Sequence, residues 1–295
     1  PVRTAEKIKE ILEENSTNIN FEILSNPELL AEGTAIQDLF KSDRVLIGGD
    51  ESTSGQKAVQ ALVDIYANWI PKEKILTTNV WSSELSKLAS NAMLAQRISS
   101  INSLSALCEK TGANIEELSK AIGMDHRIGS KFLKASVGFG GSCFQKDVLN
   151  LVYLCRHYGL EEVADYWHQV IKINDYQKDR FAQKIIDHFG GDITGKKITI
   201  LGWAFKANTN DSRESPAIYV AEKLFKAGAI LEIYDPMVSK ESIFSDIDFY
   251  WEASNKEDIT TRISVLDSIS TLDLSIDAAA ILTEWEAFKS LDFSK

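Results

Sequence analysis

The sequence predicts an α/β protein in three parts: a thin parallel α/β layer, an all-helical middle and a second parallel α/β domain. Short apolar strands alternate with stretches of helical period up to about residue 79. From there to about residue 191 the apolar residues recur at helical spacing only. A buried strand then starts at Lys197, and a loop, a helix and another strand follow it. We therefore expect domains at 1–79, 80–191 and 192–295.

The first part is predicted to alternate between helices and strands. Helices are expected at 4–14, 28–40 and 55–69, and strands at 21–24, 44–47 and 74–78. Three strands make a thin sheet, and no strand precedes the first helix. The sequence therefore predicts the second half of a larger α/β domain.

The middle part is predicted to open with one helix of about 30 residues that ends at Gly112. One apolar stripe runs through Leu85, Leu88, Ala92 and Ala95, and a second through Leu94, Ile98, Ile101 and Leu104. A helix that is apolar on so much of its surface is buried on several sides. Further helices are expected at 115–118, at 143–157 and within 163–189.

The last part is predicted to be a second parallel sheet. Strands are expected at 197–202, 231–236 and 277–282, with a helix that begins at Ser215-Pro216 and ends at Gly228. This is the beginning of a Rossmann-like nucleotide-binding fold, although Gly202 is followed by Trp-Ala-Phe and not by the rest of a GxGxxG fingerprint. Residues 237–275 are weakly patterned, and the sequence assigns them no elements.

Composition narrows the classes of partner. The net charge is −11 and the isoelectric point is near 5.0, which argues against nucleic acid and anionic membrane surfaces. No apolar run approaches the ~18 residues that span a bilayer. The three cysteines form no even framework and no CxxC pair, so we expect a reducing, cytoplasmic setting. The four histidines show no metal-ligand spacing, and we expect no metal.

The most informative stretch is SVGFGGSCFQKD at 136–147. Ser142 and Gln145 are spaced as a capping box, which predicts that Cys143 occupies the first helical position. The helix dipole favours an anion there, so the thiol loses its proton more readily and becomes a nucleophile. Asp147 lies one turn further on the same face, as a candidate base, and Lys146 is a nearby cation.

Two plainer interpretations of this stretch stay open. A lone cysteine is often a small buried apolar residue. A glycine-rich turn before a helix can also bind a phosphate without doing chemistry. Lys87 and Asn91, four residues apart on the long helix, project from one face, where Lys87 is either functional or a solvated charge.

Four motifs, NPELLAEG at 26–33, SELSKLASNA at 83–92, GFGGSCFQKD at 138–147 and FKANTNDSRESPA at 205–217, occur in this order. Together they resemble the UDP-glucose/GDP-mannose dehydrogenase family, and within it the UDP-glucose 6-dehydrogenases. Gln145 and the loop at 123–129 favour the animal-like branch. The resemblance implies an NAD-binding Rossmann domain, a central helical domain that carries the active site and a dimer contact, and a UDP-sugar-binding domain.

The family oxidises the C6 alcohol of UDP-glucose twice, with two NAD⁺, to give UDP-glucuronate. The resemblance implies that Cys143 attacks the aldehyde to form a thiohemiacetal, and that a second oxidation leaves a thioester for water to hydrolyse. It implies that Lys87 stabilises the oxyanion and that Asp147, with a water, moves protons. It also implies that Glu28 takes part in the hydrolysis and that Asn91 holds the substrate.

The resemblance further implies binding roles. Substrate contacts are implied for Phe139, Gly140, Phe205, Lys206 and Lys134, and for Arg127 in the site of a neighbouring subunit. Glu32, Lys146 and Arg213 are implied to lie on the NAD side. The implied partners are UDP-glucose, NAD and further copies of the chain, as a dimer or a trimer of dimers.

The sequence departs from the family at both ends. It contains neither the GxGxxG half of the first domain nor the final segment with a substrate-contacting arginine. We therefore expect a fragment, truncated at both ends, that does not turn over NAD⁺ alone, and NADH production by the chain would contradict this. Two alternatives stay open: a non-catalytic dimerising UDP-binding fragment, and a dehydrogenase of another nucleotide sugar such as UDP-N-acetylmannosamine or GDP-mannose.

Overall fold

The structure, a computed structural model, describes residues 2–17, 19–30, 32–251, 256–271 and 275–291. The chain divides into two compact units, Pro1–Asn91 and Ala92–Lys295.

The first unit contains a small parallel sheet. Strands β1 (Val45–Gly48) and β2 (Ile75–Thr78) pair in parallel from Val45 opposite Ile75 to Gly48 opposite Thr78. Helices α1, α2 and α3 span Thr4–Asn15, Ala35–Phe40 and Thr53–Tyr66, and a short 3-10 turn, Lys72–Lys74, precedes β2. Val45, Ile47, Val59 and Ile70 form the core of this unit. The alternating pattern predicted for this part is confirmed for these strands and for α1 and α3.

Two expectations for the first unit are wrong. Residues 21–24, all of them described, form no strand, and the neighbouring Ser25 makes a single antiparallel bridge with Gly48. The helix expected at 28–40 begins only at Ala35. Gly33 has φ +87, a left-handed conformation that a right-handed helix does not contain. Ala31, within the NPELLAEG motif, lies outside the described residues.

A long helix, α4 (Val80–Thr111), follows β2 directly and has 32 residues, as its two apolar stripes predicted. The division between the units falls within it, after Asn91. Leu88, Ala92, Ala95 and Ile101 are buried, whereas Leu85 and Leu104 are exposed. Each stripe is therefore buried along only part of its length.

Three further helices of the second unit follow. They are α5 (Ile115–Gly123), α6 (Phe144–His157) and α7 (Glu161–His188). Asn114 caps α5, because its Oδ1 accepts from the backbone N–H groups of Glu116 and Glu117. The stretch at 163–189 is one helix of 28 residues. The Ser99 hydroxyl donates to the Val170 carbonyl at 2.7 Å and ties α4 to α7.

The second unit also contains a parallel four-stranded sheet in the order β5-β4-β3-β6. Its strands are β3 (Lys197–Leu201), β4 (Ile230–Tyr234), β5 (Ile263–Val265) and β6 (Ala278–Ile281). Helix α8 (Pro216–Lys226) starts as predicted, with the Ser215 hydroxyl accepting from the Ala217 N–H. Ile198, Ile200, Leu224 and Leu231 are fully buried in the core between sheet and helices.

The described part of the stretch at 237–275, to which the sequence assigned no elements, contains two α-helices, a strand and a short 3-10 turn, Ile269–Thr271. The helices are α9 (Lys240–Tyr250) and α10 (Lys256–Arg262), and the strand is the edge strand β5. Residues 252–255 and 272–274 of this stretch lie outside the described residues. No helix in the described part of the chain is long and apolar enough to cross a bilayer.

Candidate active site

A glycine turn, residues 138–141, leads into α6 and packs against the loop that follows β3. A Cβ on Gly140 would lie 2.5 Å from the Glu214 carbonyl oxygen. Gly141 has φ +83, and its N–H donates to the Arg213 carbonyl at 2.8 Å. Side chains at these two positions would collide with the loop or strain the backbone. Glycine is therefore needed here for close approach of two backbone segments.

Cys143 lies where this turn ends, and its side chain is exposed. Helix α6 begins at Phe144, so Cys143 is the N-cap residue and not the first helical residue. No side chain among the described residues caps this helix start, and the Ser142 hydroxyl instead lies 3.6 Å from the Cys143 Sγ. The predicted capping box of Ser142 and Gln145 is wrong: the helix starts one residue later than expected, and its first intrahelical bond runs from the Asp147 N–H to the Cys143 carbonyl.

The other two cysteines differ from Cys143. Cys108 and Cys155 are both buried, and burial raises the pKa of the Cys155 thiol. The plainer interpretation, a small buried apolar residue, therefore describes these two cysteines. The accessible thiol is Cys143.

Asp147 lies one turn along α6, as its spacing predicted. Its N–H donates to the Cys143 carbonyl at 2.9 Å, and its side chain is buried. Lys146, beside it, is exposed. The Phe144 ring meets the ring of the buried Phe139 edge-on, with centroids 5.8 Å apart. This ring contact joins the turn to the first residue of α6.

The sequence did not reveal the three side-chain amides that hold the turn and the residues just before it. The Asn174 side chain, on α7, accepts from the Phe139 N–H at 2.8 Å and donates to the Phe139 carbonyl at 3.0 Å. Gln177 donates to the Ser136 carbonyl, and Asn102 on α4 accepts from the Ser136 N–H. All three carboxamides are buried. A signal for them was present, since Asn174 and Gln177 are polar residues at the apolar spacing of α7.

The loop after β3 carries Phe205 and Lys206, both partly buried, with the Lys206 Nζ 5.5 Å from the centre of the Phe205 ring. Asp235, at the end of β4, fixes the start of this loop. Its carboxylate accepts five N–H groups, from the backbone of Trp203, Ala204, Met237 and Val238 and from the Trp285 indole. An acidic residue at this place in a dinucleotide-binding Rossmann fold binds a ribose. Here the carboxylate is used to order the loop.

Arg213 lies in the same loop and is bound to Asp211. Its Nε and Nη2 each donate to the carboxylate at 2.8 Å, while its carbonyl holds Gly141. Glu214, the next residue, has φ +54 and accepts from the Tyr219 hydroxyl. Burial, followed by this hydrogen bond to Glu214, raises the pKa of Tyr219. The loop beside the turn is thus held by charged and polar pairs.

In the first unit, Lys87 and Glu28 form an ion pair. The Lys87 Nζ lies 3.0 Å from Glu28 Oε2, and Glu28 Oε1 accepts from the Leu30 N–H. The residues just before Glu28 reach the carboxyl end of β1, where Ser25 pairs with Gly48. Asn91, one turn beyond Lys87, is partly buried, and Glu32 is exposed. Ligands of parallel sheets bind at this edge.

Two implied substrate residues lie in exposed ion pairs of the second unit. Arg127 binds Asp125 through Nε and Nη2, and this hydrogen bonding lowers the pKa of Asp125 and raises that of Arg127. The Lys134 Nζ lies 2.6 Å from Glu284 Oε1. Within the described ranges, no three His, Cys, Asp or Glu side chains gather as metal ligands.

Comparison with known proteins identifies the family. Models of the UDP-glucose/GDP-mannose dehydrogenase family match in order: the NAD binding domain at 1–70, the central domain at 81–176 and the UDP binding domain at 199–295. The chain belongs to this family. The order of domains and the α/β class confirm the fold that the sequence predicted.

Curated members of the family match over the whole chain. The UDP-glucose 6-dehydrogenases of Pongo abelii and Mus musculus are 59% identical over 298 residues, and UDP-glucose 6-dehydrogenase 5 of Oryza sativa is 55% identical over 303 residues. The chain spans 60% of the length of the two animal relatives and 63% of the rice one. The predicted similarity to the animal enzymes is confirmed.

Solved structures agree. A UDP-glucose dehydrogenase from the hyperthermophilic archaeon Pyrobaculum islandicum is 31% identical, with a TM-score of 0.86 over 99% of this chain and 63% of that chain. A UDP-D-ManNAc dehydrogenase from Pyrococcus horikoshii is 23% identical, with a TM-score of 0.76, and shows the shared fold alone.

Proposed function

We propose that the protein to which this chain belongs oxidises the C6 alcohol of UDP-glucose to the carboxylate of UDP-glucuronate. The observation that carries the proposal is the 59% identity, over the whole chain, to curated UDP-glucose 6-dehydrogenases. The exposed Cys143 beside buried Asp147 supports it, because the two-step reaction needs an accessible nucleophile. The reaction converts one alcohol, two NAD⁺ and one water into one carboxylate, two NADH and three protons.

Cys143 is the proposed nucleophile. After the first oxidation its sulfur forms a bond to the aldehyde carbon, giving a thiohemiacetal. The second oxidation removes the hydrogen of that carbon as hydride and leaves a thioester. Water then attacks the thioester carbon, the C–S bond breaks, and the thiol is regenerated.

The proposed roles of the charged residues follow from their chemistry. Lys87, a cation, stabilises the oxyanion at C6. Asp147 moves protons through a water, and its place one turn from Cys143 on α6 supports this. Glu28 takes part in the hydrolysis, and its ion pair with Lys87 supports a joint role. Asn91 holds the substrate.

The proposed binding residues include some that are already engaged within the protein. Gly140, Phe205 and Lys206 meet at the turn and loop, which supports a nucleotide-sugar site there. Phe139 is buried and Asn174 binds both of its backbone polar groups, so only its side chain remains for the proposed substrate contact. Lys134 and Arg127 would exchange their present carboxylate partners for substrate groups.

NAD is the proposed cofactor, and when bound it takes up the hydride. The chain fits it in part: parallel β1 and β2 offer the carboxyl edge at which such ligands bind, with Glu28 and Lys87 in the same unit. The family model for the NAD-binding domain covers 1–70. Glu32, Lys146 and Arg213 are the residues we propose on the cofactor side.

The assembly and the compartment are part of the same proposal. Leu107, Tyr153 and Tyr176 are large exposed apolar side chains of the second unit, which supports a homo-oligomer. All three cysteines are described, and none forms a disulfide, which supports a cytoplasmic protein.

The test is turnover by the complete protein encoded with this chain. We expect two NADH for each UDP-glucose, no steady turnover in Cys143→Ser, and full turnover in the control Ser103→Ala, which loses only one hydrogen bond within α4. UDP-N-acetylmannosamine and GDP-mannose should react far more slowly. A preference for either of them, or UDP binding without any NADH, would replace this proposal with one of the two alternatives.

A further inference from the structure

Resting on the proposed function, we propose that Asn174 is a positioning residue for Cys143. It touches neither the sulfur nor any reacting group. It acts through the backbone of Phe139, which lies in the turn that delivers Cys143 to the start of α6.

The contact is a two-point clamp. One carboxamide accepts from the N–H and donates to the carbonyl of the same residue, at 2.8 and 3.0 Å. Two bonds from a planar group to both polar groups of one residue fix its position and its rotation together. The side chain of Asn174 is only 1% exposed, so water does not compete for either bond.

The turn needs such a clamp because the glycines on either side of Phe139 do little to restrict the backbone. Gly138 precedes Phe139, and Gly140 and Gly141 follow it, so the backbone on both sides has wide conformational freedom. Gly138 also makes room for the clamp, since a Cβ there would lie 2.8 Å from Asn174 Oδ1. The path of the chain from Phe139 to Cys143 therefore depends on where Phe139 is held, together with the bond from the Gly141 N–H to the Arg213 carbonyl.

A role in packing alone does not explain the residue type. Asparagine is a weak helix former, and a buried carboxamide must replace all its hydrogen bonds to water. Leucine at this buried position of α7 would avoid both costs. Aspartate would keep the shape but lose the donor, and would place a negative oxygen against the Phe139 carbonyl.

The first experiment measures alkylation of the full chain with iodoacetamide, followed residue by residue by peptide mass spectrometry. Asn174→Asp should slow modification of Cys143 about threefold or more, because the sulfur leaves its position at the helix start. Cys108 and Cys155 are buried and report unfolding in the same sample. Gln169→Glu, an exposed amide on the same helix, is the matched control and should leave the Cys143 rate unchanged.

If Asn174→Asp exposes Cys108 and Cys155, then Asn174→Ser takes its place, since serine is small and uncharged but cannot bind both backbone groups. An unchanged or faster Cys143 rate, in a variant with protected Cys108 and Cys155, overturns the proposal.

The second experiment measures turnover by the complete enzyme. We expect kcat to fall about tenfold or more in Asn174→Asp, with KM for UDP-glucose and for NAD⁺ changed less than about threefold. Equal losses in kcat and in substrate binding would indicate general damage and overturn the positioning role. If the wild-type protein itself does not oxidise UDP-glucose, the proposed function fails, and the alkylation result alone decides the role of Asn174.

Discussion

Lys87 and Glu28 form an ion pair, Nζ to Oε2 at 3.0 Å, although they are 59 positions apart in the chain. Lys87 lies on α4 and Glu28 in the irregular segment before α2, so the pair joins two elements of the first unit. Only about a third of the Lys87 side chain is exposed, which strengthens its field toward a neighbouring anion.

Removal of this cation should slow the chemical step. We expect Lys87→Ala to lower kcat of the complete enzyme by about 10²–10³, the usual effect of losing one oxyanion-stabilising group. Lys72→Ala, at an exposed lysine of the same unit, is the control and should retain activity. Steady-state NADH production decides, and a loss of less than threefold in Lys87→Ala would contradict the role.

Gly141→Ala should destabilise the fold more than Gly112→Ala. Both glycines have left-handed φ, +83 and +78, which costs other residues about 1–2 kcal/mol. A Cβ on Gly141 would also lie 3.0 Å from the Phe205 ring, whereas one on Gly112 would meet none of the described atoms within 4 Å. Urea unfolding should show about 1 kcal/mol of additional loss for Gly141→Ala. Equal losses in the free energy of unfolding would mean that the contact with the Phe205 ring adds no cost at Gly141.

Asp235→Asn should destabilise the sheet domain by about 3 kcal/mol or more, since the new amide turns a donor toward backbone N–H groups. The control is Asp246→Asn, because the Asp246 carboxylate accepts from the Trp203 indole at 2.9 Å and should cost about 1 kcal/mol. Thermal unfolding, followed by tryptophan fluorescence, compares the two variants. A smaller loss for Asp235→Asn than for Asp246→Asn would refute the five-bond role of this carboxylate.

Glu109→Gln should lose stability in a pH-dependent way. Burial opposes ionisation of Glu109, but hydrogen bonds from Lys184 and Arg180 prevail and lower its pKa below 4.5. The stabilisation is therefore full above the unfolded pKa and disappears as the pH falls through the folded one. Since Glu109 is nearly half exposed, we expect about 0.5 kcal/mol at pH 7. Urea unfolding should show a smaller stability difference between wild type and Glu109→Gln near pH ~3 than near neutrality. A difference that stays constant with pH would contradict the lowered pKa of Glu109.

Local signals in the sequence were sufficient for most elements. The 32-residue α4, the Ser215-Pro216 start of α8 and the buried strand β3 each follow from periodicity or capping chemistry in their own residues. The failure at 21–24 depends on pairing outside that stretch, whereas the failure at 28–34 has its cause within the stretch. Apolar residues at 21–24 suit a strand, but only Ser25 finds a partner, and Gly33 interrupts the helix.

The same division applies to the candidate site. Cys143 and its one-turn relation to Asp147 could be predicted, because both lie in one short motif. The Asn174 clamp, the Gly141–Arg213 bond and three of the five donors around Asp235 could not, since each joins residues more than 30 positions apart. The spacing of residues within a motif does not predict which distant side chains will contact that motif in the fold.

The bond from Gly141 to Arg213 also bears on how the protein is made. A ribosome releases the cysteine turn well before it releases the loop after β3 that holds this turn in place. During synthesis Cys143 is thus an ordinary thiol on an unanchored segment. The geometry proposed for its chemistry is acquired only once the sheet has closed, so an emerging or misfolded chain does not present Cys143 in that geometry.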